Sequence, residues 1–523
     1  MIGKLRIQSL VLVALFVLVV LLPGSFTVCA GAPSQTVELQ ILSVNDFHGA
    51  LAAGGKNPGA AQLAQYISEL RSQKPDGTLL VSAGDMFQGS PDSDLLYGRT
   101  VVDIMNHLRF DAMTIGNHEF DWGTDVLRQR ISQAQFPFVC ANIIDKRTGK
   151  PVDFLPPFAL IERQGIKIAV IGIATPETAV KTNPKWIAGY RFADPAAVLR
   201  DIMPEVIRQG ADIVIALTHL PSWMDEQGMV TGEGVAVAKE VPGLAAVITG
   251  HSHQAVYGLV NDVPVVQAGY NGRAVGVIEL AYDVVNRKVM EATVRTDSIP
   301  TDGPMADVAV QAILTAAQTE VAPVKETEIG YLSTSLNHDR YAPVQTLLGQ
   351  WVTDSMRQAA KADVAFQNTG GLRADLMQGR ITIGQLYEVL PFDNTLCMVE
   401  LTGRQLLSVI EFGLENKYGM VQFSGLRVTW DQGAPPGSRL LGVTQADGRP
   451  LRPDKSYIVV TNDFMATGGD GFTMLKEGKK AHDTNIPVRD VLVDAFRRQG
   501  AIHFTGDDRL LTRPSARQQQ EAA

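Results

Sequence analysis

Short apolar runs that each end on a metal-ligating side chain recur along the first half of this chain, and that recurrence constrains the fold more than any other feature. Val37, Leu39 and Ile41 alternate with Glu38 and Gln40 and lead into Asn45-Asp46-Phe47-His48. The run Thr78–Ala83 leads into Gly84-Asp85, and another apolar stretch leads into Gly116-Asn117-His118-Glu119-Phe120-Asp121. Ala211–Thr218 is followed by His219, and Ala245–Thr249 by Gly250-His251-Ser252-His253. Period-two alternation predicts a half-buried strand at Val37, whereas continuous runs such as Ile166–Ala174 predict strands covered on both faces. Helical stretches such as Ala60–Arg71 lie between them, giving an α/β layered domain that ends near residue 300. Every candidate ligand then falls at the carboxyl end of a strand, where open α/β sheets place their sites. Five of the nine histidines sit in these motifs, which chance placement does not explain. His107, His338, His482 and His503 have no such context and read as ordinary structural residues.

With 523 residues, the chain needs at least two domains. A net charge of −9 provides no broad basic surface and excludes a nucleic-acid polymer as the main partner. Residues 1–30 read as an export signal: Lys4 and Arg6, the apolar run Leu10–Leu22, a break at Pro23-Gly24, and small residues near Ala30. The apolar run is short for a span, which needs about 20 residues, so no stable membrane span is expected after cleavage. The expected location is periplasmic or extracellular. Past the signal only Cys140 and Cys397 remain, and two buried free thiols are expected.

The first domain is read over residues 37–300, a helical linker over 301–325, and a second α+β domain over 328–513. The linker begins at the turn Thr301-Asp302-Gly303-Pro304, runs as a helix from Met305 to about Glu320, and is expected to close at Pro323. Asp46 and His48, two apart on extended chain, share a face and can grip one ion. Oxygen and imidazole ligands together suit zinc, manganese, iron or cobalt.

The Asn45-Asp46-Phe47-His48-Gly49 segment, taken with Phe110 and Ile115 through Asp121, resembles the paired signatures of the 5′-nucleotidase and UDP-sugar hydrolase family. That family is a branch of the calcineurin-like metallophosphatases, and the resemblance spans about residues 37–513. It implies an N-terminal α/β/β/α metallophosphatase domain and a C-terminal nucleoside-binding domain. It further implies two divalent metal ions, one held by Asp46, His48, Asp85 and His253, the other by Asp85, Asn117, His219 and His251. Such a pair activates a water near neutral pH and neutralises phosphoryl oxygens. His118, oriented by Asp121 three residues on, is the implied catalytic residue at the leaving group or developing charge. Glu119 reads as structural.

In the second domain, Asn368-Thr369-Gly370-Gly371-Leu372-Arg373 is Gly-rich with a terminal Arg that can present a fork of donors to an anion. Phe392 and Phe464 stand beside turn formers, and Asp470 lies in a second Gly-rich loop. By the resemblance, Phe392 and Phe464 sandwich the base, Asp470 binds ribose hydroxyls, and Asn368 and Arg373 face the phosphate. There are departures. Ser43-Val44 replace a usual His-Thr, Leu220-Pro221 replace a usual Gly, and Ala342 stands where the family has an Arg, with Arg340 two residues earlier.

The implied activity is hydrolysis of nucleoside 5′-monophosphates, UDP-sugars or other nucleotides. Rival readings are a 2′,3′-cyclic nucleotide phosphodiesterase or NAD hydrolase on the same scaffold, and, from another class, a non-catalytic surface binding protein. The two Phe residues disfavour the cyclic phosphodiesterase, whose relatives tend to carry Tyr there. The binding protein would be free to lose ligands, and none is lost.

Overall fold

In the computed structural model, which describes residues 36–301 and 306–512, Thr36–Val44 lies inside a six-stranded sheet. The predicted signal, residues 1–30, and the turn residues Asp302–Pro304 fall outside the described residues. Thr36–Val44 is hydrogen-bonded on both edges, parallel to Thr78–Ser82 and antiparallel to Ala274–Asp283. Lys288–Ser298 flanks it on one side, with Ala112–Thr114 and Phe138–Val139 on the other. The expected polar alternation holds at Glu38 and fails at Gln40, which is fully buried. Gln40 shares its face with Leu42, which packs into the core beneath the outer helices, and there the Thr78 hydroxyl donates to the Gln40 amide oxygen.

A second six-stranded sheet runs Ala255–Val260, Val263–Ala268, Ala246–Ile248, Ile213–His219, Ile166–Ala174, Phe158–Arg163. Its central strands are parallel. The two sheets face each other through a core that includes Leu39, Ile41, Val81, Val170, Ile215 and Val266. Helices Ala60–Gln73 and Arg99–His107 cover the outer face of the first sheet. Pro195–Arg208 and Glu233–Glu240 cover the second. The result is the α/β/β/α layering. Continuous apolar strands follow directly from this, because each is covered by a helix on one side and the other sheet on the opposite side.

The connecting helix departs from expectation at both ends. It spans Val308–Lys325, starting where the Asp307 carboxylate accepts the Ala309 and Val310 amides. Pro323 lies inside it instead of closing it. The proline lacks an N–H for the Thr319 carbonyl, but the turn is anchored on both sides of it: Val321 is buried and Lys325 is held by Asp92 at 2.6 Å. Val310 and Leu314 pack into the first domain's core.

The second domain is built on a five-stranded mixed sheet, Gln422–Ser424, Val364–Gln367, Ser456–Asn462, Thr395–Thr402, Lys479–Pro487. Helices Leu347–Ala360, Gly403–Leu414 and Val488–Gln499 pack around it. Its Asn368 and Asn462-Asp463 turns leave the carboxyl ends of adjacent parallel strands. Both therefore open toward one side. Cys140 and Cys397 are free and buried. Among the described residues no helix is long and apolar enough to cross a membrane.

Candidate metal centre and interdomain cleft

The sheets bring the sequence-predicted ligands together at their carboxyl edges. Ligand atoms of Asp46, His48 and His253 lie within 4.8 Å of one another, as do those of Asp85, His219 and His251. His48 Nε2 is 3.0 Å from His253 Nε2, His253 Nε2 3.4 Å from Asp46 Oδ1, and His219 Nε2 3.1 Å from Asp85 Oδ2. His251 Nδ1 is 3.3 Å from His219 Nε2. Asp85 lies between the two groups and also forms a third with His48 and His118.

The backbone is bent to achieve this. Asp46, His48, Asp85, His251 and His253 all have left-handed conformations, with φ of 49°, 50°, 55°, 76° and 60°. Each such residue costs on the order of 1–3 kcal/mol, a strain that concentrates at functional sites. Glycines make room nearby: a Cβ on Gly116 would lie 2.2 Å from Asp85 Oδ1. Glu119 holds the loops in place, its carboxylate accepting the amides of Asp85, Met86 and Gly116. Burial, and then the Asp85 charge, push the Glu119 carboxyl up to about 7.

These residues fit divalent cations. Three histidines have one ring nitrogen tied away from the centre: His48 Nδ1 to the Gln88 carbonyl, His219 Nδ1 to the Ala83 carbonyl, and His251 Nε2 to Glu177. The other nitrogen of each then faces the centre, where it is placed to present a lone pair to a cation. Burial, joined for His48 by the neighbouring His253 and His118, keeps His48 and His251 in the neutral form that metals require. Asn117 Oδ1 is buried without a hydrogen-bond partner. An orphaned acceptor beside converging lone pairs and carboxylates lacks a positive charge, which an ion supplies.

His118 and Asp121 lie at either end of a short 3-10 turn, which places His118 Nδ1 2.7 Å from Asp121 Oδ2. Burial lowers the His118 pKa, but Asp121 and Asp85 outweigh it and hold the imidazole above its usual value. The Phe392 ring, from the second domain, stacks on His118 with centroids 5.5 Å apart.

Both domains line one cleft of about 630 Å³, into which His118, Asn368, Arg373, Phe392, Phe464 and Asp470 all open. Asn368 Nδ2 donates to Asp470 Oδ2 at 2.8 Å, and Arg373 lies 5.8 Å from the Phe392 ring centre. Burial and the nearby Arg340 pull the Arg373 guanidinium down to about 10. Arg340 lines the same cleft, and its Nε is buried without a partner. Sequence reasoning missed Glu177, Lys181 and Lys185. Of these only Glu177 carries a usable signal, following the strand Ile166–Ala174 as the ligands follow theirs.

Comparison with known proteins agrees with the geometry. The sequence matches the calcineurin-like phosphoesterase family over residues 39–255 and the 5′-nucleotidase C-terminal domain over 304–477. A 5′-nucleotidase of Vibrio cholerae is 30% identical over 531 residues, covering 92% of this chain and 95% of that protein. Endonuclease YhcR of Bacillus subtilis is 32% identical over 463 residues; the match takes in 83% of this chain but only 38% of that longer protein. The crystal structure of a 5′-nucleotidase precursor from Thermus thermophilus superposes with a TM-score of 0.78 at 28% identity, covering 91% of this chain and 99% of that one. Fold and site define a metallophosphoesterase, a phosphoric ester hydrolase. The chain belongs to the 5′-nucleotidase family.

Proposed function

We propose that this protein is an exported, metal-dependent nucleotide phosphohydrolase that converts nucleoside 5′-monophosphates to nucleoside and phosphate. The observation that carries the reading is the shared cleft: the ligand cluster and His118 form one wall, and Asn368, Arg373, Phe392, Phe464 and Asp470 form the other. Asp46, His48, Asp85 and His253 hold one divalent ion, and Asp85, Asn117, His219 and His251 the other. When bound, the pair supplies Lewis-acid charge and an activated water for in-line attack on phosphorus.

The protein's own groups do the rest. Arg373 and Asn368 orient the phosphate, with Arg340 as a second guanidinium in place of the arginine absent at Ala342. Phe392 and Phe464 take the base between them, which tolerates many bases. Asp470 accepts the ribose hydroxyls. Asp121 accepts the Nδ1 proton of His118, leaving Nε2 to meet the developing charge or to protonate the leaving ribose oxygen. Burial of a remote base thereby positions a phosphate elsewhere in the cleft.

Asp470→Asn tests the division of labour. It is isosteric but removes the charge that strengthens hydrogen bonds to hydroxyls. On the usual worth of such bonds, kcat/KM for AMP should fall about 10–100-fold while hydrolysis of an aryl phosphate is preserved. An equal loss on both substrates would refute Asp470 as a nucleoside contact.

A further inference from the structure

One segment of the first domain, Glu177 to Lys185, touches both the metal cluster and the second domain. At its start, Glu177 Oε2 lies 3.0 Å from His251 Nε2, the ring nitrogen facing away from the cluster. In its middle, the buried Thr182 hydroxyl donates to the Asn117 carbonyl at 2.7 Å. His251 and Asn117 are both assigned to the same ion. Three further polar side chains point across the cleft. Lys181 Nζ pairs with Asp470 Oδ1 at 2.9 Å and sits 4.0 Å over the Tyr418 ring. Asn183 Nδ2 and Lys185 Nζ both meet Asp463 Oδ2, at 2.7 and 2.8 Å. Asp463 in turn accepts the Thr395 and Phe464 amides, fixing the loop that carries the aromatic and the ribose carboxylate.

A metal-bound imidazole is oriented by whatever its distal N–H meets, and a carboxylate there also raises its basicity. Among the described residues Glu177 is the only side chain bonded to the distal nitrogen of His251, and its carbonyl accepts the Val180 and Lys181 amides of the strap formed by residues 177–185. The strap is fastened at its far end to the second domain through a largely buried ion pair, Lys181–Asp470, and a half-exposed one, Lys185–Asp463. Removing one partner of a pair of the first kind leaves an uncompensated buried charge, whereas fully exposed pairs contribute little.

We propose that Glu177 is a positioning residue for the ion held by Asp85, Asn117, His219 and His251, and that the strap ties this ion's affinity to the second domain's grip on Lys181 and Lys185. The inference rests on the two-metal reading above and adds that the two ions are unequal. Only one of them is coupled to the nucleoside-binding loop.

Equilibrium zinc titration of the full chain against a chromophoric chelator tests this without any assay of activity. The wild type should take up two ions. Glu177→Ala should keep one at wild-type affinity and bind the other about 10–100-fold more weakly, with Glu177→Gln falling between because its amide oxygen still accepts the imidazole N–H. Combining Glu177→Ala with Asn117→Ala should cost no further ion, since both act on the same one. Lys181→Met with Lys185→Met should weaken that ion by about fivefold or more. Thermal melts of the chelated variants matching the wild type would show that the fold is kept. Two equally tight ions in Glu177→Ala would overturn the positioning role, and unchanged affinity in the lysine variant would overturn the coupling. Failure of the wild type to bind two ions would instead overturn the two-metal reading itself.

Discussion

Asp85→Ala is expected to be the most damaging single ligand change in the molecule. Asp85 falls between the two groups of ligand atoms, with Oδ2 3.1 Å from His219 Nε2 and Oδ1 accepting the His118 amide at 2.8 Å. The other ligands each serve one proposed ion; this carboxylate serves both. Burial pushes its carboxyl up, but His219, His118 and His48 together hold it well below the usual range. Changing residues behind metal ligands already costs about 10–100-fold, so losing the shared ligand should lower kcat/KM for AMP by more than about 100-fold. The metal content of the variant should fall below that of His48→Ala or Asn117→Ala. A variant that retains both ions and wild-type turnover would remove Asp85 from the bridging position.

His118→Ala should produce a loss of similar size by a different route. The imidazole is tied to Asp121 at 2.7 Å and faces Phe392 across the cleft, and in the proposed assignment it holds neither ion. A positioned acid or charge stabiliser contributes about 10²–10⁴-fold, so kcat on AMP should drop by at least about 10²-fold with metal content unchanged. Asp121→Asn, which keeps the shape and discards the charge that supports the imidazolium, should fall between the two. Because His118 sits in a group with His48 and Asp85, the metal measurement decides its role. Loss of an ion along with activity would make it a ligand.

The cluster of carboxylates and imidazoles was legible because open α/β sheets deliver functional residues at strand ends, and strands are readable as short apolar runs. Asp46, Asp85, His219 and His251 each lie within a few residues of such a run, so local sequence was sufficient. The layering was legible for the same reason. Gln40 shows where this stops: alternation marked it as outward, yet its face of the strand continues with Leu42 into the core beneath the outer helices. Pro323 shows a second limit, since a general helix breaker is accommodated in a last turn whose neighbours Val321 and Lys325 are anchored. Lys181 and Lys185 were missed because their meaning lies in partners hundreds of residues away, and Glu177 because its partner His251 is 74 positions on. Lys181 and Asp470 are separated by 289 positions, and no periodicity in the strap announces the contact. The residues proposed to hold the nucleoside stood between these extremes. Phe392 and Phe464 look like core residues by type, and only the resemblance gave them a role before the cleft brought them opposite the metal cluster.

Stripping the full chain with a chelator and assaying AMP hydrolysis, before and after a divalent transition metal is added back, tests the central claim most directly. The stripped protein should remain folded by circular dichroism and have no measurable activity, and activity should return as two ions per chain are bound. Wild-type hydrolysis of AMP by folded, metal-free protein would contradict it.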